Sequence, residues 1–297
     1  MNRDKVIAVL GGDLRQAAVA DRLRAAGLTP RIYGLPPDAV PPDIRYFEDW
    51  RAAVTDASTV VLPLPAAHDG TRVATPLMQE LPPLLLKTLF AALPEGTLLA
   101  AGKLDEVARA EAERSGLQVF DYFESEALQQ KNALPTAEGA VMILMQELPL
   151  TVAGLPVAVT GFGRVAKALV MLLCAMGARV TVAARKSAAL DAARRLGCGT
   201  VSLCEPQALR RLAQGYAAVF NTVPSRLFDA EVLGWFDRET LLIDLASAPG
   251  GIDAGAAAKY GIRSIFALSL PGKYAPRSAG VIIADTVLEK MREEGVI

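Results

Sequence analysis

The stretch that decides the fold is VAVTGFGRVAKALVMLLCAMGARVTVAARKS, residues 157–187. It begins as an apolar strand, passes through a glycine turn into an amphipathic helix, and ends in a second strand. Gly161, Gly163 and Ala166 match the pattern G-x-G-x-x-G/A. In that pattern the first glycine permits a tight turn, the second lets backbone approach a pyrophosphate, and the small third residue lets the helix pack closely. The flanking strands and helix supply the context that this weak motif requires, so the stretch predicts a dinucleotide-binding unit rather than a tight turn alone.

The end of the second strand predicts which dinucleotide binds. An NAD-binding unit carries an acid there, which accepts hydrogen bonds from the ribose 2′-hydroxyl. Here the strand ends in Ala184, Arg185, Lys186 and Ser187. Arg185 can hold a phosphate through two parallel hydrogen bonds, Lys186 adds positive charge, and Ser187 adds a hydroxyl donor. The tip therefore favours NADP over NAD, with ordinary solvated charges at a strand end as the alternative.

Two later segments are expected at the same edge, because open parallel sheets bind ligands at the carboxyl ends of their strands. In FNTVPS, residues 220–225, Asn221 and Thr222 are placed to contact the ligand, or else form an ordinary strand-to-loop turn. Asp244 ends another strand and either faces the ligand or caps backbone amides. The predicted cofactor-binding residues are Gly161, Phe162, Gly163, Arg164, Val165, Ala184, Arg185, Lys186, Ser187, Asn221, Thr222, Val223 and Pro224.

The N-terminal segment 5–35, KVIAVLGGDLRQAAVADRLRAAGLTPRIYGL, repeats the same plan. A constant offset of 150 aligns Gly11 with Gly161 and Gly27 with Gly177. Asp13, however, stands where the second copy has Gly163. A carboxylate at that position would repel a pyrophosphate, so the first copy is predicted to have no dinucleotide site and to be left for the substrate.

Alternating strands and helices in both halves predict an α/β fold of two Rossmann-like, doubly wound parallel-sheet domains with a cleft between them. Residues 1–130 would form an N-terminal, substrate-side α/β domain, completed by a C-terminal helix at 278–297. Residues 131–150 are assigned to an interdomain helix. Its helical pattern begins at Pro135, with Thr136 as the N-cap or as an active-site hydroxyl. Residues 151–277 would form the NADP-binding Rossmann domain.

Composition limits the function classes. With 52% hydrophobic residues in 297, the chain can build two cores, and 31 basic against 32 acidic residues give no field that would attract nucleic acid or an acidic membrane. Three unpaired cysteines fit a reducing cytoplasm, and a single histidine argues against a zinc-type metal site. The apolar run near the N-terminus is too short to span a membrane. These observations predict a soluble cytoplasmic protein.

Six segments together resemble one family, the A subunit of dipicolinate synthase, within the superfamily of NAD(P)-dependent hydroxyacid and alanine dehydrogenases. They follow one another in the order expected for that family and span nearly the whole chain. They are VLGGDLRQ (9–16), NALPTAEGAVM (132–142), VAVTGFGRVA (157–166), NTVPS (221–225), LIDLASAPGGID (242–253) and LPGKYAPRSAG (270–280).

The resemblance implies an NADP-dependent dehydrogenation of dihydrodipicolinate, or of its hydroxy-tetrahydro precursor, to pyridine-2,6-dicarboxylate in the mother cell of a sporulating bacterium. It also implies a partner, the flavoprotein-like B subunit of dipicolinate synthase. It leaves open whether the A subunit catalyses the hydride step alone and whether it forms a homo-oligomer.

A dicarboxylate substrate needs fixed cations or clustered hydrogen-bond donors. Arg15 and Gln16 follow the first glycine turn, Thr136 begins the predicted interdomain helix, and Ser247, Lys273 and Arg277 lie in second-domain loops predicted to face the cleft; each is also compatible with an ordinary surface role. Loss of a hydride and a proton calls for a general base. His68, the single histidine, and Glu138 are the candidates.

Two other functions stay open. One is a two-domain NADP-dependent reductase of the hydroxyacid or shikimate type, although such enzymes normally place a His or Lys beside the carbonyl. The other is a non-catalytic module that binds NADP for a partner enzyme.

Overall fold

The computed structural model describes residues 5–297, so residues 1–4 at the start of the predicted first domain lie outside it. The strands are β1 Val6–Leu10, β2 Thr29–Tyr33, β3 Arg45–Tyr46, β4 Thr59–Val61, β5 Leu98–Ala101, β6 Gln118–Asp121, β7 Pro156–Thr160, β8 Arg179–Ala184, β9 Gly199–Ser202, β10 Ala218–Asn221, β11 Leu241–Asp244 and β12 Ser264–Phe266. The α-helices are α1 Leu14–Ala25, α2 Trp50–Val54, α3 Leu86–Ala92, α4 Glu106–Arg114, α5 Glu126–Glu147, α6 Arg164–Ala175, α7 Ser187–Arg195, α8 Ala208–Leu212, α9 Ala230–Leu233, α10 Ala254–Tyr260, α11 Leu270–Tyr274 and α12 Pro276–Glu293.

The chain divides into two compact units. One comprises the residues up to Asn132 together with Ala275–Ile297, and the other is Ala133–Tyr274. Each unit contains one six-stranded parallel sheet, with the strand orders β3-β2-β1-β4-β5-β6 and β12-β11-β10-β7-β8-β9. In both sheets the order reverses beside the first strand of the unit, which is the doubly wound arrangement predicted from the sequence. The predicted α/β class with two doubly wound parallel sheets is thus confirmed.

The sheet of the first unit is covered on both faces, because successive strand residues point to opposite sides. In β1, Ile7 and Val9 pack into a core that contains residues of α1 and α12, whereas Ala8 and Leu10 pack into the opposite core with α3 and α4. The α1–α12 contact is very close at Gly280, where an added Cβ would collide with the Arg15 carbonyl and lie 2.6 Å from the Ala18 Cβ. Only glycine lets the two helices approach so closely.

The second unit repeats this pattern around β7. Val157 and Val159 point to the core that contains α5 and α6, and Ala158 points to the core on the other face. Helix α6 is strongly amphipathic, with Ala166, Leu169, Val170 and Leu173 buried along one side. This stripe is the reason the segment is a helix packed on the sheet rather than a strand within it.

The helix predicted from Pro135 is longer at its N-terminal end. Helix α5 begins at Glu126 and contains Pro135 in its interior, so Thr136 is not an N-cap. The prediction that the proline starts the helix was therefore wrong. The apolar residues Ala137, Ala140, Val141 and Leu144 are buried, and this packing outweighs the local cost of the proline.

Candidate functional site

The glycine turn of the second unit leaves the start of α6 open. Gly161 has a φ of +87°, and an added Cβ would lie 3.2 Å from the Val223 side chain and collide with the Thr222 hydroxyl. Gly163 is extended, has no atom within 4 Å of a built Cβ, and no side chain caps the helix behind it. The N-terminus of α6 thus has no side-chain cap and room in front of Gly163, and it is the positive end of the helix dipole, a combination that suits phosphate.

A cavity of about 350 Å³ opens in front of this turn. Seven of the predicted cofactor residues line it: Gly161, Phe162, Gly163, Ala184, Arg185, Lys186 and Val223. Five further residues line it that were not predicted from the sequence: Ala189, Leu203, Leu209, Ser225 and Leu227. The predicted residues that do not line it are Arg164, Val165, Ser187, Asn221, Thr222 and Pro224. The missed residues come from α7, α8 and the loops after β9 and β10. Ser225 ends the FNTVPS segment that the sequence had singled out, whereas the other four belong to no motif.

Two basic side chains stand at the end of β8. Arg185 and Lys186 are exposed, and no ion pair to either is found within residues 5–297. The loop after β9 closes against this tip, since the Leu203 amide donates to the Ala184 carbonyl at 3.0 Å and the Cys204 thiol lies 3.6 Å from the Arg185 carbonyl. The cations are thus available to a phosphate at the edge of the cavity.

Beneath the cavity, three buried polar side chains cross neighbouring strands. Asn221 of β10 is paired in register with Thr160 of β7 and with Asp244 of β11. Its Oδ1 accepts from the Thr160 hydroxyl at 2.6 Å and from the Val223 amide at 3.1 Å, and its Nδ2 donates to Asp244 at 2.8 Å and to the Val223 carbonyl at 3.1 Å. All four hydrogen-bonding positions are used. The prediction that this side chain contacts the ligand is therefore corrected: Asn221 holds the strand ends together.

Asp244 is the structural acid that the sequence allowed as one alternative. Besides the Asn221 bond, its carboxylate accepts from the amides of Ala246, Gly251 and Ile252 at 3.1, 2.7 and 3.1 Å. These bonds fix the loop after β11. Ser247 lies on that loop and is exposed.

The first unit differs from the second at the corresponding turn. The Asp13 carboxylate caps α1 by accepting from the Arg15 amide at 3.0 Å, and it also pairs with the Arg15 guanidinium. Arg15 donates in addition to the Leu64 carbonyl at 2.5 Å. The helix N-terminus is therefore closed by the protein's own carboxylate. Arg15 was predicted as a free anchor for a substrate carboxylate, but most of its charge is already compensated.

Gln16 is buried in the first turn of α1. It is 1% exposed, and neither Oε1 nor Nε2 has a hydrogen-bond partner within the described chain. The side chain lies beneath Gly12, where an added Cβ would collide with the Gln16 Cγ and lie 2.9 Å from the Pro63 side chain. Each buried polar group without a partner costs about 1–3 kcal/mol. Gln16 is thus a destabilising choice for a packing position.

The remaining predicted substrate and catalytic residues fall into both units. Arg277 was predicted in a loop of the second domain, but it lies in the first turn of α12, in the first unit. Lys273 lies in α11 of the second unit, which packs on α5 at Gly139, one residue after Glu138 and three after Thr136. His68 is exposed in the first unit, between β4 and α3.

Two features are missing from residues 5–297. No cluster of three or more His, Cys, Asp or Glu side chains is arranged to hold a metal ion. No helix in this range is both long and apolar enough to cross a membrane.

Two doubly wound sheets, with an open glycine turn in the second, define a two-domain Rossmann-fold protein of the kind found among NAD(P)-dependent dehydrogenases. Residues 6–123 match the family model for the N-terminal domain of the dipicolinate synthase A subunit. In this segment the chain resembles the dipicolinate synthase A subunits, and the likeness continues through the second unit. It is 29% identical over 293 residues to the dipicolinate synthase A subunit of Bacillus subtilis (strain 168), covering 97% of this chain and 96% of that protein.

Solved structures show the same likeness. The dipicolinate synthase A subunit from Bacillus halodurans has a TM-score of 0.87 at 25% identity, over 98% of this chain and 99% of the other. A transhydrogenase from Sinorhizobium meliloti has a TM-score of 0.71 at 16% identity, over 97% of this chain and 94% of the other, and so shares the fold. The resemblance found in the sequence is confirmed.

Proposed function

We propose that this chain is an NADP-dependent dehydrogenase that oxidises a partly reduced pyridine dicarboxylate to pyridine-2,6-dicarboxylate. The substrate is dihydrodipicolinate, which loses a hydride and a proton, or its hydroxy-tetrahydro precursor, which loses a water molecule as well. The observation that carries the proposal is the second-unit cavity, where an uncapped helix N-terminus and two exposed cations meet. The likeness to a dipicolinate synthase A subunit over 97% of the chain supports the substrate class.

The residues of the cavity fit a phosphorylated dinucleotide. The α6 amides behind Gly163 would hold the pyrophosphate, and Arg185 with Lys186 would hold the 2′-phosphate. Leu203 and Leu209 would give the adenine ring an apolar surface. When bound, the nicotinamide supplies the hydride acceptor. The hydrogen-bonded series from Thr160 through Asn221 to Asp244 keeps the neighbouring strand ends in position beneath the cavity.

The candidate residues for the substrate carboxylates are Arg15, Gln16, Thr136, Ser247, Lys273 and Arg277. His68 or Glu138 would take the proton that leaves with the hydride. The name of the Bacillus subtilis relative, which marks it as one subunit of a larger enzyme, supports a second chain as partner, and we propose that this is the B subunit of dipicolinate synthase. We place the reaction in the cytoplasm of the mother cell of a sporulating bacterium.

The test uses the full chain with and without the B subunit. Freshly prepared dihydrodipicolinate is supplied with NADP or NAD, and reduced nicotinamide and pyridine-2,6-dicarboxylate are followed by their ultraviolet absorption. We expect equal amounts of both products, with NADP preferred. If the chain binds NADP but shows no turnover, either by itself or with the B subunit, it is a non-catalytic NADP-binding module and not a dehydrogenase.

A further inference from the structure

The buried amide of Gln16 lies where the first unit would bind a ligand. The strand order reverses between β1 and β4. Gly12 follows β1 and packs against Gln16, and Pro63, which also lies against Gly12, follows β4. In doubly wound sheets the carboxyl ends at such a reversal form the ligand site. The offset of 150 aligns Gln16 with Ala166, the small third residue of the fingerprint. A polar side chain thus replaces a packing residue at the switch point.

The carboxyl end of the first-unit strands near Gln16 does not have the character of an anion-binding site. Asp13 and Arg15 largely neutralise each other through contacts of 2.8 and 2.9 Å. The remaining unsatisfied groups are those of one carboxamide, a donor at Nε2 and an acceptor at Oε1. Both are satisfied at once by a ligand that presents an acceptor beside a donor. A phosphate or a simple dianion offers acceptors alone.

We infer that Gln16 is a specificity-determining residue of the substrate site, where Nε2 donates to a substrate carboxylate and Oε1 accepts from an N–H or O–H of the reduced ring. This inference rests on the proposed function. The aromatic product has carboxylate acceptors but no ring donor at neutral pH, so it leaves Oε1 unsatisfied. Gln16 therefore favours the reduced substrate over the product, which assists product release.

The test compares two stable dicarboxylates that differ in one ring group. In 4-oxo-1,4-dihydropyridine-2,6-dicarboxylate the group between the carboxylates is N–H, and in 4-oxo-4H-pyran-2,6-dicarboxylate it is a ring oxygen. Binding of each to the full chain is measured by calorimetry with NADP present. We expect the wild type to prefer the N–H compound by on the order of tenfold or more, since a site built for a donor rejects its isostere.

The diagnostic variant is Gln16→Met, which keeps the length of the side chain and removes both polar groups. We expect it to abolish the preference between the two compounds and to raise the midpoint of thermal unfolding, because the amide without partners is gone. Thr59→Val is the matched control. The Thr59 hydroxyl is also buried without a partner in the described chain, but at the amino end of β4. This variant should raise the midpoint and leave the preference unchanged.

A retained preference in Gln16→Met, or no binding of either compound to the wild type, overturns the inference. So does a lowered unfolding midpoint with unchanged preference, which would mean that Gln16 serves packing. The proposed function fails separately, through the absence of turnover in the assay with the B subunit. If the wild type turns over substrate and Gln16→Met still prefers the N–H compound, the proposed function stands and only the role of Gln16 is wrong.

Discussion

The guanidinium of Arg15 is held by the carboxylate of Asp13, with Nη2 and Nε at 2.8 and 2.9 Å from its oxygens. The same carboxylate caps α1, so one side chain both closes the helix N-terminus and compensates a nearly buried cation. In the second unit the corresponding Gly163 leaves α6 open. This pair is the local difference between two otherwise similar units: the helix N-terminus of the first carries a carboxylate cap, and that of the second has no side-chain cap.

Removing the carboxylate should destabilise the first unit. In Asp13→Ala, Arg15 loses its partner and α1 loses its cap, so we expect the free energy of unfolding to fall by about 3 kcal/mol. Urea unfolding measures the change. Asp21→Ala is the control, because its pair with Arg24 is exposed and should contribute less than about 1 kcal/mol. Equal losses in both variants would contradict the role assigned to Asp13.

Placing a carboxylate in the second turn should remove dinucleotide binding. In Gly163→Asp the side chain has room, so the fold should persist, but it would repel the pyrophosphate at the α6 N-terminus. We expect the Kd for both NADP and NAD to rise on the order of a hundredfold, measured by calorimetry. Met171→Asp adds the same charge on the exposed face of the same helix and should bind normally. Unchanged binding by Gly163→Asp would exclude this turn as the site.

The choice between NADP and NAD should depend on Arg185. Arg185→Asp removes a phosphate ligand and adds an acid that can accept from a ribose hydroxyl, so the Kd for NADP should rise by on the order of tenfold to a hundredfold while that for NAD does not rise. Both constants are measured by calorimetry, with Arg194→Asp as the control, since it changes the same charge at a solvated α7 position. If Arg185→Asp keeps the wild-type preference, the strand tip does not select the cofactor.

The hydrogen bonds beneath the cavity should contribute to stability in a graded way. Asn221→Leu leaves Thr160 and the buried Asp244 without one partner each, and we expect the free energy of unfolding to fall by about 2–4 kcal/mol. Thr160→Val removes one hydroxyl bond and should cost about 1 kcal/mol. Denaturant unfolding gives both values. A smaller loss in Asn221→Leu than in Thr160→Val would show that Asn221 does not hold the strand ends.

Cysteine reactivity should report on the cavity. Burial raises the pKa of the Cys198 thiol to about 12, while Cys204 is exposed beside the Arg185 carbonyl. We expect Cys204 to be alkylated at a pH of about 8, Cys198 to resist, and NADP to slow the reaction of Cys204. Mass spectrometry with Cys204→Ser as control identifies the sites. Equal rates with and without NADP would place Cys204 away from the cofactor.

The raised pKa of Cys198 also makes stability depend on pH. Since folding favours the neutral Cys198 thiol, its contribution to stability is lost as pH rises from 9 towards 12.

The sequence alone predicted the doubly wound fold and the unit that carries the open turn. Both follow from local signals: alternating burial along each strand, glycines where φ must be positive, and a carboxylate or its absence at a helix start. The strand tip with Arg185 and Lys186 was found in the same way. The start of α5 was not predicted correctly, because tertiary packing around Ala137 and Leu144 outweighs the local signal of Pro135.

What only the tertiary structure decided concerns partners that are distant along the chain. Asn221 has a structural role because it accepts a hydrogen bond from Thr160, which lies 61 positions before it. The guanidinium of Arg15 is partly engaged by the carbonyl of Leu64, 49 positions away. Arg277 lies in the first unit, and not in the second as predicted, because α12 packs on α1 at Gly280. Local sequence determines backbone geometry and helix caps, whereas hydrogen-bond satisfaction of a buried side chain depends on which strand ends the fold brings together.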